Sequence, residues 1–363
     1  MKKDTKAGIR ELEKRLNSGE PMSDEERVEA LRVLGLGVPA QKLQAQSTPS
    51  ADPDYGLIPQ YGVSETSMMP QPSKRQQKII DTALQLQEQS AAESDDIGYM
   101  ARAVVLATLP HSKKSGNEFT RINGTFRLAI WSPAGLPYGS LPRLLLAWMT
   151  TEAVRTRSKD LELGQSLTEF MTSLGEIPTG GRWGSITRLR NQTERLFSSS
   201  IVCTYNSEEG RAAKHLRVAS EYEIWWFKDQ RAYPNPRQKT IWISHVRLDE
   251  QFFQEIIERP VPIDLRVVHA LKKSPLALDI YCWLTYRMSY LRGPTIVPWP
   301  YLETQFGADY KRRRAFREHF KQQMQVVLTL YPVNVYSVDD GLELRSGHAH
   351  ISKRAFPVHK PNI

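Results

Sequence analysis

The sequence predicts an α+β fold built from two similar units, and three observations carry that prediction. Twice the chain sets a short helix ending in an apolar residue and glycine ahead of a long amphipathic helix with arginine on its outer face. The first pair spans residues 166–175 and 182–198, the second residues 300–307 and 310–328. Each pair is followed by segments that alternate with period two and close as a hairpin. Basic charge is concentrated where these units lie: residues 1–98 hold 12 Lys and Arg against 16 Asp and Glu, and the remainder holds 37 against 24. A helix-turn-helix followed by a hairpin is a winged helix. The expectation is therefore two tandem winged-helix domains, at 99–260 and 261–363, after a partly disordered N-terminal region at 1–98.

In chain order, the spacing of Ser23 and Glu26 ahead of Val28, Leu31, Val33 and Leu34 predicts a capped helix that Gly35 and Gly37 close. Residues 39–73, rich in Pro, Ser and Gln, read as linker because they offer too little apolar surface to offset chain entropy. Residues 76–89 place Ile79, Ile80, Ala83, Leu84 and Leu86 near one helical face. Phe126, Leu128 and Ile130 alternate as a strand, and Ser140 with Pro142 sets up a helix through Leu144, Leu145, Trp148 and Val154. Beyond the first helix pair, residues 201–205 form a strand. Leu216, Val218, Tyr222, Ile224 and Trp226 then predict one arm of a long hairpin, with residues 240–248 as the other. Asp249 caps a helix through Phe252, Phe253, Ile256 and Ile257 that Pro260 stops, and residues 260–264 join the two domains. The second unit repeats the order: Ser274 and Pro275 start a helix, residues 296–299 form a short strand, and residues 333–336 pair with 342–344 across Asp339, Asp340 and Gly341.

Composition bounds the function. The 363 residues, 40% hydrophobic and 25% charged, suffice for two packed domains, and a pI near 9.4 favours an acidic partner such as nucleic acid. Only Cys203 and Cys282 occur, far apart in apolar runs, so neither a disulfide framework nor a thiolate metal site is expected. No apolar run approaches a membrane span, and Lys2, Lys3 and Lys6 have no apolar segment behind them. A cytoplasmic protein without membrane partners is expected.

The long helices carry the candidate binding residues. In the first, Ile186, Leu189, Thr193, Leu196 and Phe197 form the stripe expected to be buried. Arg188, Gln192 and Arg195 lie outside it, with Arg182, Ser185, Arg190 and Asn191 nearby. Arg suits guanine and Gln or Asn suits adenine, so this face could read bases; the competing reading is a solvated face that Glu194 dilutes. Gly180 and Gly181 could admit close backbone approach or merely turn the chain. In the second, Phe316, Phe320, Met324, Val327 and Leu328 face the core while Arg313, Arg317 and Lys321 share another face. Lys311, Arg312, Arg313 and Arg314 crowd the helix start, where the macrodipole disfavours cations, so an anion should compensate them. In the hairpin connection, Lys228, Arg231, Arg237 and Lys239 surround Pro234 and Pro236; such a tip can reach phosphates, although hairpin tips are charged in most proteins.

Catalytic signatures are wanting. No phosphate-loop run occurs, and no acid/base pair is recognisable among the carboxylates. His348 and His350 have the spacing of a metal-holding nuclease pair, but no tyrosine follows them. Trp225, Trp226, Trp242, Trp283 and Trp299 could stack on single-stranded bases, yet their apolar neighbours favour the core. No catalytic residue, metal or cofactor is expected.

The chain resembles the plasmid RepA-type replication initiator family from residue 117 to 353. The most specific stretch is residues 260–287, PVPIDLRVVHALKKSPLALDIYCWLTYR, supported by GRWGS at 181–185 and DEQFF at 249–253. The resemblance implies a bacterial plasmid protein of tandem winged-helix type. Such a protein would bind repeated sequences at a double-stranded plasmid origin, help open the adjacent duplex and recruit the host replicative helicase and host initiator, without catalysis. It also implies a homodimer as a regulatory form. A winged-helix transcriptional repressor would need the same helices and no helicase contact; a nuclease would need the histidine pair.

Overall fold

Helix formation begins where the sequence supplies a cap. The Ser73 hydroxyl accepts from the Gln76 N–H at 3.3 Å while the Gln76 side chain accepts from the Ser73 N–H at 3.0 Å, and this reciprocal pair starts α1 (Lys74–Glu88). The computed structural model describes residues 73–207, 210–224, 244–307, 310, 312–347 and 349–351. The helix expected after Ser23, nearly all of the 39–73 linker, the 228–239 hairpin connection, Trp225, Trp226, Trp242, Lys311 and His348 lie outside them.

The protein mixes helices with antiparallel sheets. After α1 come β1 (Ile97–Met100), α2 (Arg102–Leu106), β2 (Glu118–Asn123) and β3 (Phe126–Trp131). Then follow α3 (Ser140–Thr156), β4 (Asp160–Glu162), α4 (Leu167–Ser173), α5 (Ser185–Phe197), β5 (Ser200–Ser207), β6 (Gly210–Arg217), β7 (Ala219–Glu223) and β8 (His245–Leu248). The remainder is α6 (Glu250–Glu258), β9 (Val261–Asp264), α7 (Leu265–Leu271), α8 (Pro275–Met288), β10 (Thr295–Pro298), α9 (Trp299–Phe306), α10 (Arg313–Leu330), β11 (Val335–Val338) and β12 (Gly341–Leu344).

Two segments share one plan. In the first, α3, β4, α4 and α5 precede the hairpin β7–β8, and β4 pairs with β8 to give the order β4-β8-β7. In the second, α8, β10, α9 and α10 precede the hairpin β11–β12, and β10 pairs with β12 to give β10-β12-β11. The starts of these helices follow from their caps: Ser166 accepts from the Glu169 N–H at 3.1 Å, Asp249 from the Gln251 N–H at 3.1 Å and Ser274 from the Ala277 N–H at 3.2 Å.

Several sequence expectations need correction. The hairpin directly after α5 is β5–β6, which joins β2 and β3 in a sheet of order β2-β3-β5-β6. Leu216 belongs to it, and the described pairing of the later hairpin is confined to β7 and β8. Both hairpins alternate with period two, so periodicity could not assign the pairing. Residues 260–264, expected as a connector, contain β9, paired with β1 from Ile97↔Asp264 to Met100↔Val261, with Val261, Ile263 and Asp264 buried. The N-cap of α3 is Gly139 rather than Ser140. The two long helices begin at Ser185 and Arg313, later than expected.

One apolar cluster runs through both segments, taking Leu145, Phe170 and Leu196 from the first and Ile280, Phe306 and Phe320 from the second. Polar groups tie them together inside it. Arg143, 3% exposed, donates to Asp279 at 2.6 and 2.7 Å, to the Leu109 carbonyl at 2.7 Å and to the Gly139 carbonyl at 2.6 Å. His111 Nε2 lies 2.8 Å from the same carboxylate. Burial alone would raise the Asp279 pKa, but the Arg143 charge and the bonds to His111 and Arg143 outweigh it and hold the carboxyl below its ordinary value. Gln305 donates to the Leu106 carbonyl at 3.1 Å, and its own carbonyl accepts from Thr108 at 2.9 Å. Trp283 and Trp299 are buried, which favours the core reading over base stacking. No described helix is long and apolar enough to cross a membrane.

Candidate nucleic-acid interface

The turn into α5 is built around Ser185. Its hydroxyl donates to the Ile177 carbonyl at 2.6 Å and accepts from the Thr179 N–H at 2.8 Å, and the Thr179 hydroxyl accepts from the Ser185 N–H at 2.9 Å. A Cβ on Gly184 would stand 2.2 Å from the Thr179 carbonyl, so only glycine fits where the loop closes on itself. Ser185 is thus 3% exposed and fully engaged; its expected role as a DNA contact gives way to that of a loop clip. The clipped loop projects Ile177, 78% exposed, and Trp183, 82% exposed. Arg182 lies over the Trp183 ring, its Cζ 5.2 Å from the centroid.

Along α5, Leu189, Thr193, Leu196 and Phe197 are buried as the spacing requires, and Arg188, Arg190, Asn191 and Glu194 are exposed. Gln192 departs from expectation. It is buried, and its side-chain oxygen accepts from the Tyr138 N–H at 2.9 Å, so its amide cannot extend to a base. Position 192 sits three residues after Leu189 and four before Leu196, on the edge of the apolar stripe, and the chain before α3 supplies a donor there. Arg195 is also turned inward. It donates to the Leu136 carbonyl at 3.2 Å and stacks on Tyr138, with its guanidinium against Gly135. Gly135 has φ +88°, and a Cβ there would meet Arg195 Nη1 at 2.4 Å.

In the second segment, Arg312, Arg313, Arg314 and Lys321 are exposed and Arg317 is half-buried. The counter-charge expected for this helix start is partly internal. Glu303, from α9, takes Arg313 at 3.4 Å and Arg317 at 3.1 Å, and Glu318 takes Arg314 at 2.9 Å. Arg317 and Lys321 also lie over the Trp299 ring at 5.5 and 5.4 Å. Phe316, Phe320, Met324 and Val327 are buried, and Leu328 is half-buried. Arg231, Arg237 and Lys311 lie outside the described residues.

Sequence reasoning missed the exposed Ile177 and Trp183, because an apolar residue in a short turn carries no periodic signal. It also missed Lys272 and Lys273, which the fold brings to the edge of α5 beside Arg188, Asn191 and Gln192. Cys203 and Cys282 are buried free thiols, and burial pushes Cys203 up to about 12. His350 packs against Tyr281 and Tyr331 with Nδ1 2.8 Å from the Tyr281 hydroxyl, and burial lowers its pKa to about 4. Among the described residues no group of three or more His, Cys, Asp or Glu could hold a metal ion.

Residues 136–299, from just before α3 through the start of α9, match the family model described as plasmid encoded RepA protein. A crystal structure of selenomethionine derivatives of domains 2 and 3 of RctB is similar at 15% identity and a TM-score of 0.43, over 61% of this chain and 83% of that one. A second crystal structure, of RctB domains 2–3, gives 15% identity and a TM-score of 0.40, over 61% of this chain and 82% of that one. No curated protein matches the chain.

Proposed function

We propose, from the plasmid-encoded RepA family match of residues 136–299, that this chain is a plasmid replication initiator. It binds repeated sequences at a double-stranded plasmid origin, promotes opening of the adjacent duplex and recruits the host replicative helicase and host initiator. The two repeated segments act as winged helices within domains at 99–260 and 261–363, and they present α5 and α10 to successive major grooves of one repeat. Arg182, Arg188, Arg190 and Asn191 face the DNA from the first, and Arg312, Arg313, Arg314, Arg317 and Lys321 from the second. Arg231 and Arg237 reach flanking phosphates, and Lys311 adds to the second helix start. The work of strand opening comes from binding energy gathered over several protomers, so no catalytic group, metal or cofactor is invoked. The protein acts in the cytoplasm of a plasmid-bearing bacterium, with a homodimer as a regulatory form.

The observation that carries this reading is the repeated order helix, strand, helix, long cationic helix, hairpin, with α5 and the turn before it inside the matched segment. The test is binding of the purified protein to repeated DNA beside its own gene against unrelated duplex at physiological salt. A preference on the order of a thousandfold is expected; equal binding to both would overturn the origin-binding reading. Supplied in trans, the protein should also sustain a plasmid that carries this origin and lacks its own initiator. A repressor would not.

A further inference from the structure

A cleft of about 290 Å³ opens where α5 meets the start of α3 and the turn between α7 and α8. Its walls hold more donors than the protein uses. Lys272 is satisfied, bonded to the Gly175 carbonyl and paired with Glu176 at 3.1 Å. Arg188, from α5, and Lys273, from the turn, are exposed, and their side chains form neither an ion pair nor a hydrogen bond among the described residues. Gln192 is 6% exposed, and only its oxygen is engaged, by the Tyr138 N–H; its Nε2 lines the cleft with no acceptor among the described residues. That nitrogen is not sealed from solvent, so it is free to donate to a group that enters the cleft. The α3 terminus adds to the imbalance, because Gly139 gives no side-chain cap and the first turn contains no acidic residue. Positive potential gathers at this corner: burial, and then the fields of Lys272 and Lys273, lower the pKa of Lys78 on α1.

The geometry points to a phosphate site in this cleft, held by Arg188, Lys273, the Gln192 amide and the start of α3, and filled by a backbone phosphodiester of duplex DNA. The ligand must be an anion that accepts from several directions, because donors converge from three separated segments and Glu176, the one acidic side chain in the walls, is already paired. A phosphate presents acceptor oxygens in that way, and Arg and Lys are its usual partners. Its source follows from place. The cleft borders the exposed face of α5, and phosphates flank any groove that such a helix enters. This assignment rests on the DNA-binding reading of α5 and deepens it, because the phosphate is held jointly by α5 from the first repeat and by Lys273, next to the cap of α8, from the second.

The experiment uses the full chain. Affinity for a mixed-sequence duplex is measured across a range of salt for the wild type, Lys273→Gln, Lys273→Arg and Gln192→Glu, and thermal unfolding of each is followed with and without inorganic phosphate. Loss of one phosphate contact lowers the salt slope by about 0.9, so Lys273→Gln should lose about that much on every sequence and Lys273→Arg should restore it. Gln192→Glu keeps an oxygen for Tyr138 and places an anion where the donor was; it should weaken binding uniformly while its unfolding temperature stays near that of the wild type. An unchanged slope and affinity in Lys273→Gln, with wild-type binding intact, would overturn the cleft assignment and leave the initiator reading standing. No duplex binding by the wild type, together with stabilisation by inorganic phosphate that Lys273→Gln abolishes, would overturn the duplex as the source and the DNA-binding reading with it.

Discussion

The long helices α5 and α10 hold the same place in the two repeats and keep their outward-facing cations in opposite states. On α5, Arg188 and Arg190 reach solvent with no partner among the described residues. On α10, Glu303 holds Arg313 and Arg317, Trp299 underlies Arg317 and Lys321, and Glu318 takes Arg314. A free arginine loses side-chain entropy when it binds but gives up no existing partner. A paired one is already oriented and must exchange its carboxylate for the ligand. The contrast teaches that cation counts do not define a surface: α5 offers unpaired arginines, and α10 presents a fixed cationic edge.

The comparison assumes that the repeats stand or fall together, and the largest expected effect tests that. Arg143 and Asp279 join them inside the core, and removing one partner of a buried pair leaves the other charge without compensation. Arg143→Ala should cost about 3–5 kcal/mol, measured by chemical denaturation, and fluorescence from Trp148 and Trp283 should report a single transition. Separate transitions would show two independent bodies and would dissolve the comparison.

Acid acts on the second repeat. His350, wedged between Tyr281 and Tyr331, has a folded pKa of about 4 against an ordinary 6.5. The unfolded chain therefore binds the proton first. The stability due to neutral His350 is fully present above pH 6.5 and is lost as pH falls towards 4, by an amount on the order of 3 kcal/mol at the bottom of that window. Burial lowers His111 and His269 in the same direction. His350→Gln should flatten the dependence of unfolding free energy on pH between 6.5 and 4; an unaltered curve would mean that the imidazole is not buried as a neutral base.

How much of this was legible in the sequence depends on the kind of signal. The helices announced themselves through caps such as Ser166, Asp249 and Ser274 and through apolar stripes such as Phe316, Phe320 and Val327, because both signals are local. Strand pairing did not, because β5–β6 and β7–β8 alternate alike and their partners β3 and β4 lie far back in the chain. Among candidate site residues, Arg188 was readable as exposed. Gln192, Arg195 and Ser185 were not readable as engaged, since their partners, Tyr138, Leu136 and the 177–179 loop, are set by tertiary packing. Lys273 carried no pattern at all until the fold placed it beside α5.

At the DNA, the free arginine should matter more for sequence and the held ones more for position. Arg190→Ala is expected to cost about 1–3 kcal/mol on the cognate repeat and less on unrelated duplex. Arg313→Ala with Arg317→Ala should weaken both duplexes alike and reduce the salt slope by about 2, one for each phosphate given up. If the double variant instead relaxes sequence preference and Arg190→Ala does not, the roles of the two helices are reversed.

The smallest effect isolates the restraint itself. Glu303 lies under two arginines that DNA would also claim, so on binding it competes with phosphate. An exposed or half-exposed pair contributes at most about 1 kcal/mol, and that sets the scale of what Glu303→Gln can change. Two consequences oppose each other: removing the carboxylate frees two cations, which strengthens attraction and speeds association, and it also unfixes them, which adds entropy to be lost in the complex. Electrostatic gain acts at long range and fades with salt, while the ordering term does not. Glu303→Gln should therefore bind tighter than the wild type at low salt and converge with it, or fall slightly below, at high salt. Tighter binding at every salt would mean that the carboxylate restrains nothing useful. Weaker binding at low salt would mean that α10 works through the geometry Glu303 imposes and not through charge.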